Sequence, residues 1–181
     1  MADSKDFVIS RVFDAPRDLV WKAFSEPERM KQWWGPKGFT VIHWNMDLRP
    51  GGFYHYGLKS PTGEPMWGKF RYREVVPPER MVLVSSFSDE AGGITRHPMA
   101  PTWPLEMLST ITFESIGSDA GSGARSDAKA QGGGKTKVTV HWVPGDASSE
   151  LECKTFDEGR DSMKQGWGGT LEQLTNHLKK G

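Results

Sequence analysis

Residues 39–59, FTVIHWNMDLRPGGFYHYGLK, decide the architecture: two runs rich in aromatic and β-branched residues flank the turn Arg49-Pro50-Gly51-Gly52. Side chains on a strand alternate between two faces, so Ile42, Trp44, Met46 and Leu48 share one side. Tyr54, Tyr56 and Leu58 are their expected partners on the next strand. So short a turn makes the two strands antiparallel neighbours. The same period of two continues to Val143, with turns at Ser60-Pro61-Thr62-Gly63 and Pro77-Pro78-Glu79-Arg80. Six strands are predicted there, at about 39–48, 52–59, 67–76, 81–88, 105–115 and 137–143. The phase of Phe70, Tyr72 and Glu74 stays open, because Gly68 and the pair Val75-Val76 can each seat a bulge.

Working outward, residues 7–13 alternate as a further strand. Asp14-Ala15-Pro16 then places proline at a first helical position, with Leu19, Val20, Ala23 and Phe24 following at helical spacing. Ser25-Glu26-Pro27-Glu28 has the form of a capping box for a second short helix, which runs through Met30, Trp33 and Trp34 and stops at Gly35-Pro36. At the other end Phe156, Met163, Trp167, Leu171, Leu174 and Leu178 fall on one helical face. Two capping boxes compete for its start, Thr155 with Glu158 and Ser149 with Glu152. Gly159, Gly166, Gly168 and Gly169 fall inside this longest helix, each costing about 1 kcal/mol relative to alanine. The helix therefore forms only by docking its apolar stripe onto the sheet, and a kink is expected near Gly168.

Two segments break the pattern. Residues 117–135, GSDAGSGARSDAKAQGGGK, carry six glycines and no large apolar residue, which predicts a flexible hairpin tip inside a single domain spanning 1–181. Residues 89–104 carry His97-Pro98, Met99, Pro101 and Trp103-Pro104, so this loop is expected to pack on something.

Composition excludes several classes. Lys plus Arg equals Asp plus Glu at 23 each, so no net field attracts nucleic acid. Mean hydropathy is negative and no apolar run approaches a membrane span. The lone Cys153 and an N-terminus without a signal-like apolar core lead to the expectation of a cytoplasmic protein. The five histidines lack HxxxH or HxH spacing, so neither a metal nor another cofactor is expected. Nucleophile elbows, phosphate loops and dinucleotide fingerprints are missing too.

The order strand, two short helices, six strands, long helix resembles the START-like, helix-grip superfamily. Ala15-Pro16-Arg17 with Val20-Trp21, Pro27-Glu28 leading to Trp33-Trp34-Gly35-Pro36, and Asp47-Leu48-Arg49-Pro50-Gly51-Gly52 carry the resemblance further. With Val75-Val76-Pro77-Pro78-Glu79-Arg80 and Gly166-Trp167, they are similar to the branch of activators of the ninety-kilodalton heat-shock chaperone's ATPase. The resemblance implies an α+β fold in which a curved antiparallel seven-stranded sheet wraps the C-terminal helix. It leaves function open, since such domains serve as carriers, cyclases and chaperone regulators.

A curved sheet gripping one helix has more concave wall than that helix fills, and the remainder becomes a pocket. A hydrophobic or aromatic small molecule is therefore the expected partner. Trp34, Trp44, Tyr54, Tyr56, Phe70, Tyr72, Phe87, Trp103 and Trp167 are the expected lining, with the loop around His97 as a lid. A filled core with tyrosine tips in solvent is the competing reading. An enzyme on an aromatic substrate would need Glu74, Glu106 or Arg71 desolvated in that pocket. A chaperone-regulating contact and self-association as a homodimer stay open.

Overall fold

The computed structural model describes residues 6–117 and 134–181. In chain order the elements are β1 (Phe7–Phe13), α1 (Arg17–Ser25), α2 (Pro27–Met30), β2 (Thr40–Asp47), β3 (Phe53–Lys59), β4 (Pro65–Val76), β5 (Arg80–Ser88), β6 (Ile94–Thr95), β7 (Met107–Ile116), β8 (Lys135–Pro144), α3 (Glu150–Glu158) and α4 (Arg160–Lys179). The strands join one antiparallel sheet in the order β1-β8-β7-β5-β4-β3-β2. This is the expected α+β helix-grip arrangement, a curved sheet with the C-terminal helix across it. The two-residue β6, paired to β5, is an addition that the sequence pattern was too short to show. Residues 118–133 of the predicted flexible insertion lie outside the described residues.

Alternation sorts the sheet as expected. In β7, Met107, Ser109, Ile111 and Phe113 are buried at every second position, and in β8 Thr136, Val138 and Val140 are. Bulges fall between Val41 and His43 and between Tyr72 and Glu74. The second lies beyond Tyr72, so Phe70 and Tyr72 both face inward. The first shifts the expected face of β2: Val41 sits opposite Leu58 while Ile42 turns out, 44% exposed.

The helices depart from expectation in three places. Ser25 is the last residue of α1 and caps nothing; α2 starts on Pro27 and ends at Met30, leaving Trp33 and Trp34 in the turn that follows. Ser149 and Glu152 make the working capping box, with Glu152 N donating to Ser149 Oγ at 3.2 Å and Ser149 N to Glu152 Oε2 at 2.7 Å. The terminal helix breaks at Gly159, not near Gly168. A Cβ at Gly159 would lie 2.7 Å from the Trp103 ring, so the loop's anchor packs where the helix divides and leaves room there for glycine alone.

Helix α4 then runs unbroken through Gly166, Gly168 and Gly169. Three glycines cost roughly 3 kcal/mol in propensity. Burial of Met163, Trp167, Leu171 and Leu174 returns about 1.5–3 kcal/mol for each side chain, so docking wins. None of the helices among the described residues is long and apolar enough to cross a membrane.

Candidate functional site

Between α4 and the inner faces of β3, β4, β5, β7 and β8 lies a hollow of about 240 Å³. Its wall includes the rings of Trp34, Tyr56, Phe70, Phe87, Trp142 and Trp167 and the thioethers of Met66, Met107 and Met163. Besides the Tyr56 hydroxyl and the indole N–H groups, the polar lining residues are Ser85, Ser86 and Thr170, and no charged side chain lines it among the described residues. Trp34 is the hub. Its ring meets those of Tyr56, Phe70 and Trp167 edge to face at 5.5, 5.3 and 5.7 Å, and Trp142 meets Trp167 at 5.5 Å. These separations are the favourable T-shaped range for aromatic pairs.

One glycine makes the wall flat. Tyr56 lies across Gly68 on the neighbouring strand, where a Cβ would come 2.3 Å from the phenol ring. Any larger residue at 68 would push Tyr56 into the hollow. Burial pushes the phenol of Tyr56 above its ordinary pKa of 10, and the same cause acts first on Tyr54 and Tyr72. All three are neutral near pH 7. Thr170 donates its hydroxyl to the Gly166 carbonyl at 2.9 Å, and Ser85 Oγ lies 3.3 Å from Ser109 Oγ. The Trp142 indole N–H and the Tyr54 hydroxyl are buried without a partner among the described residues. Each such orphan costs about 1–3 kcal/mol.

The structure brings Trp34, Tyr56, Phe70, Phe87 and Trp167 around the hollow and places the other expected lining residues elsewhere. Tyr54 and Tyr72 share its face but are sealed in the packed core, at 0% and 3% exposure. Trp44 faces the same way as Tyr56, yet β2 is an edge strand and α2 lies beside it. Its indole N–H donates to Glu28 at 3.2 Å, with the Lys31 ammonium 4.2 Å from the ring centre. Trp103 packs on Phe156 at 5.6 Å. His97 touches the hollow only through Phe87, its ring 4.5 Å away, and burial lowers its pKa. The loop is not a lid over the cavity. It is stitched to the opposite side of the sheet and to α3, by Lys69 Nζ donating to Gly92 O at 3.0 Å and by Arg96 pairing with Glu152 at 2.6 Å.

Trp142, Met107, Met163 and Ser85 are among the wall residues that were not expected. For Trp142 a signal exists in the alternation Val138, Val140, Trp142 along β8, which puts it beside Trp167. The acid–base candidates lie elsewhere: Arg71 pairs with Glu106, Glu74 pairs with Arg80 at 2.5 Å, and none of them lines the cavity. Arg73, Arg96, Glu106 and Glu152 belong to a second hollow of about 340 Å³, bordered by charged side chains, that also takes in Val84 and Leu108 from the outer face. His43, His55 and Trp67 cluster on that outer face too, with centroids 4.8–5.5 Å apart and His55 stacked on Trp67. No group of three or more metal-ligating side chains occurs among the described residues.

Comparisons with known proteins agree with this fold. The sequence model of the family described as Activator of Hsp90 ATPase homolog 1-like protein matches residues 14–122. None of the curated proteins compared with the chain matches it. Similar solved structures include a protein of Nitrosomonas europaea, 21% identical with a TM-score of 0.65, over 99% of this chain and 97% of that one. A protein of Arthrobacter aurescens is 20% identical with a TM-score of 0.69, over 99% and 88%. The AHSA1 protein of Silicibacter pomeroyi is 17% identical with a TM-score of 0.65, over 97% and 98%. Such identities establish the fold alone. The family match spans more than half of the 181 residues, and the chain therefore belongs to the Activator of Hsp90 ATPase homolog 1-like family, within the START-like helix-grip superfamily.

Proposed function

We propose that this chain binds a neutral aromatic small molecule of one or two rings between the sheet and α4. The observation that carries the reading is the hollow itself, walled mainly by aromatic and thioether side chains and by no charge among the described residues. Size follows from comparison: an apolar cavity of about 150 Å³ stays dry and holds benzene, so 240 Å³ leaves room for a second ring. Charge follows from desolvation, because a carboxylate entering this wall would lose its hydration and meet no counter-ion. The single Cys153 suits a reducing compartment, and we place the protein in the cytoplasm.

Titration with naphthalene and with naphthoate tests this, read by tryptophan fluorescence and thermal shift. Naphthalene should quench fluorescence from Trp34, Trp142 and Trp167 and raise the unfolding midpoint with concentration, because a guest that binds only the native state stabilises it. Naphthoate should do neither. Indifference to naphthalene and to a panel of similar neutral arenes would sink the reading.

A second reading is regulation of a chaperone ATPase through protein contact, and the family's description is what favours it. A pull-down with the purified chaperone separates the two, since the proposed guest site needs no partner protein. An acid–base enzyme ranks below both, because Glu74, Glu106 and the histidines stand outside the cavity wall.

A further inference from the structure

We infer that Gly166 sets the largest guest this cavity admits, an inference that rests on the proposed binding role. Helix α4 carries Gly166, Gly168 and Gly169 within one turn, and none of them has the positive φ that would demand glycine. Their surroundings differ. A Cβ on Gly169 would sit 3.6 Å from Lys37 N, an ordinary contact that a methyl group tolerates. A Cβ on Gly166 or on Gly168 would meet nothing within 4 Å, so neither is required by close packing.

The empty space beside those two is of different kinds. Gly166 comes three residues after Met163 and four before Thr170, which puts the three on one helical face, and all three line the cavity. Gly168 stands four residues after Lys164 and four before Glu172, both exposed, and so borders solvent. Gly166 lines the cavity and Gly168 does not, so open space at 166 belongs to the cavity and open space at 168 lies outside it. Any side chain at 166 would leave the helix beside Trp167 and enter the volume a guest would occupy. The missing side chain is thus part of the site, and its replacement changes guest size without altering a ring of the wall.

Matched variants at the two positions separate this steric role from helix propensity, which rises at both. The set is Gly166→Ala, Gly166→Leu, Gly168→Ala and Gly168→Leu, titrated with benzene and naphthalene by tryptophan fluorescence, with the thermal midpoint as a second readout. Gly166→Leu should weaken naphthalene about tenfold or more, the scale on which apolar pockets discriminate by size. Benzene should be held within about threefold by the same variant. Gly166→Ala should lower naphthalene affinity less, and both Gly168 variants should leave the two arenes unchanged. Should Gly166→Leu fail to fold, Gly166→Ala against Gly168→Ala carries the test. Equal naphthalene affinity across all variants that fold would overturn the inference. A wild-type protein that binds neither arene defeats the binding role instead, and the steric claim is then read from stability. Gly166→Leu should melt higher than Gly168→Leu because its side chain fills a void, and no excess at 166 would overturn that claim independently.

Discussion

The interior has two ends built from the same residue types. Under α1, Phe13, Phe24, Trp33 and Phe113 are each 2% exposed, with Phe24 meeting Trp33 at 4.7 Å and Phe113 meeting Phe24 and Trp21 at 5.1 and 5.2 Å. Beneath Gly166 and Trp167 the rings still meet edge to face, at 5.3–5.7 Å, yet about 240 Å³ remains unfilled. Composition does not separate them, since both are dominated by tryptophan and phenylalanine. The number of layers does. At the first end α1 and the buried Trp33, whose indole N–H donates to Ala23 O at 3.0 Å, plug the space that α4 leaves on the sheet. At the second, α4 is the main cover and presents a glycine to the sheet, so the concave wall goes partly uncovered.

Truncation should expose this contrast most strongly. Phe113→Ala is expected to cost about 3–5 kcal/mol in denaturant unfolding, because the packed end cannot collapse onto the void. Met163→Ala removes a side chain that already borders open space, and should cost no more than about 2 kcal/mol. Equal losses at the two sites would erase the distinction between a filled and an unfilled end. A smaller effect tests whether α3 is anchored by its own cap and not by the cavity: Ser149→Ala should cost about 1 kcal/mol and leave naphthalene affinity unchanged.

The smallest expected effect is on pH. Desolvation is the first cause that lowers the pKa of His55, His97 and His177 from 6.5. Above pH 6.5 these imidazoles are neutral in both the folded and the unfolded chain, so they contribute no pH dependence there. As pH falls below that value the unfolded chain binds protons first, and stability is lost until each folded-state pKa is passed. Glu28 and Glu152 act in a lower window, since Lys31 holds the first and Arg96 the second below the ordinary 4.5, and their contribution fades as pH drops through that range. A thermal midpoint that falls slightly from pH 7 to 5.5 and more steeply below 4.5 checks both signs. A midpoint that rises on first acidification would contradict them.

Much of the fold was legible because strand alternation and turn chemistry are local. The predicted strands lie within two residues of the observed ones at every boundary, and the capping box at Ser149 was already among the alternatives. Ser25 misled, since its box competes with α1 for the same residue and α1 keeps it. The terminal helix divides at Gly159, where Trp103, far away in sequence, packs against the backbone, a contact that no local pattern shows. Periodicity accounts for only part of the hollow's wall. Strand alternation puts Tyr56 on the face that borders the hollow and helical spacing puts Trp167 on the docked face of α4, whereas Phe70 needed the bulge to be located beyond Tyr72, and Trp44 was not excludable, because its strand's place at the sheet edge appears only once the strands are ordered.

From its sequence alone this chain was committed to an antiparallel sheet, two short helices and a glycine-interrupted terminal helix, since periodicity and turns act between near neighbours. Which aromatic residues pack solid and which border a void was decided only in three dimensions. That outcome depends on how many layers cover each stretch of sheet, a property of the ordered strands and docked helices together, and no stretch of sequence holds it alone.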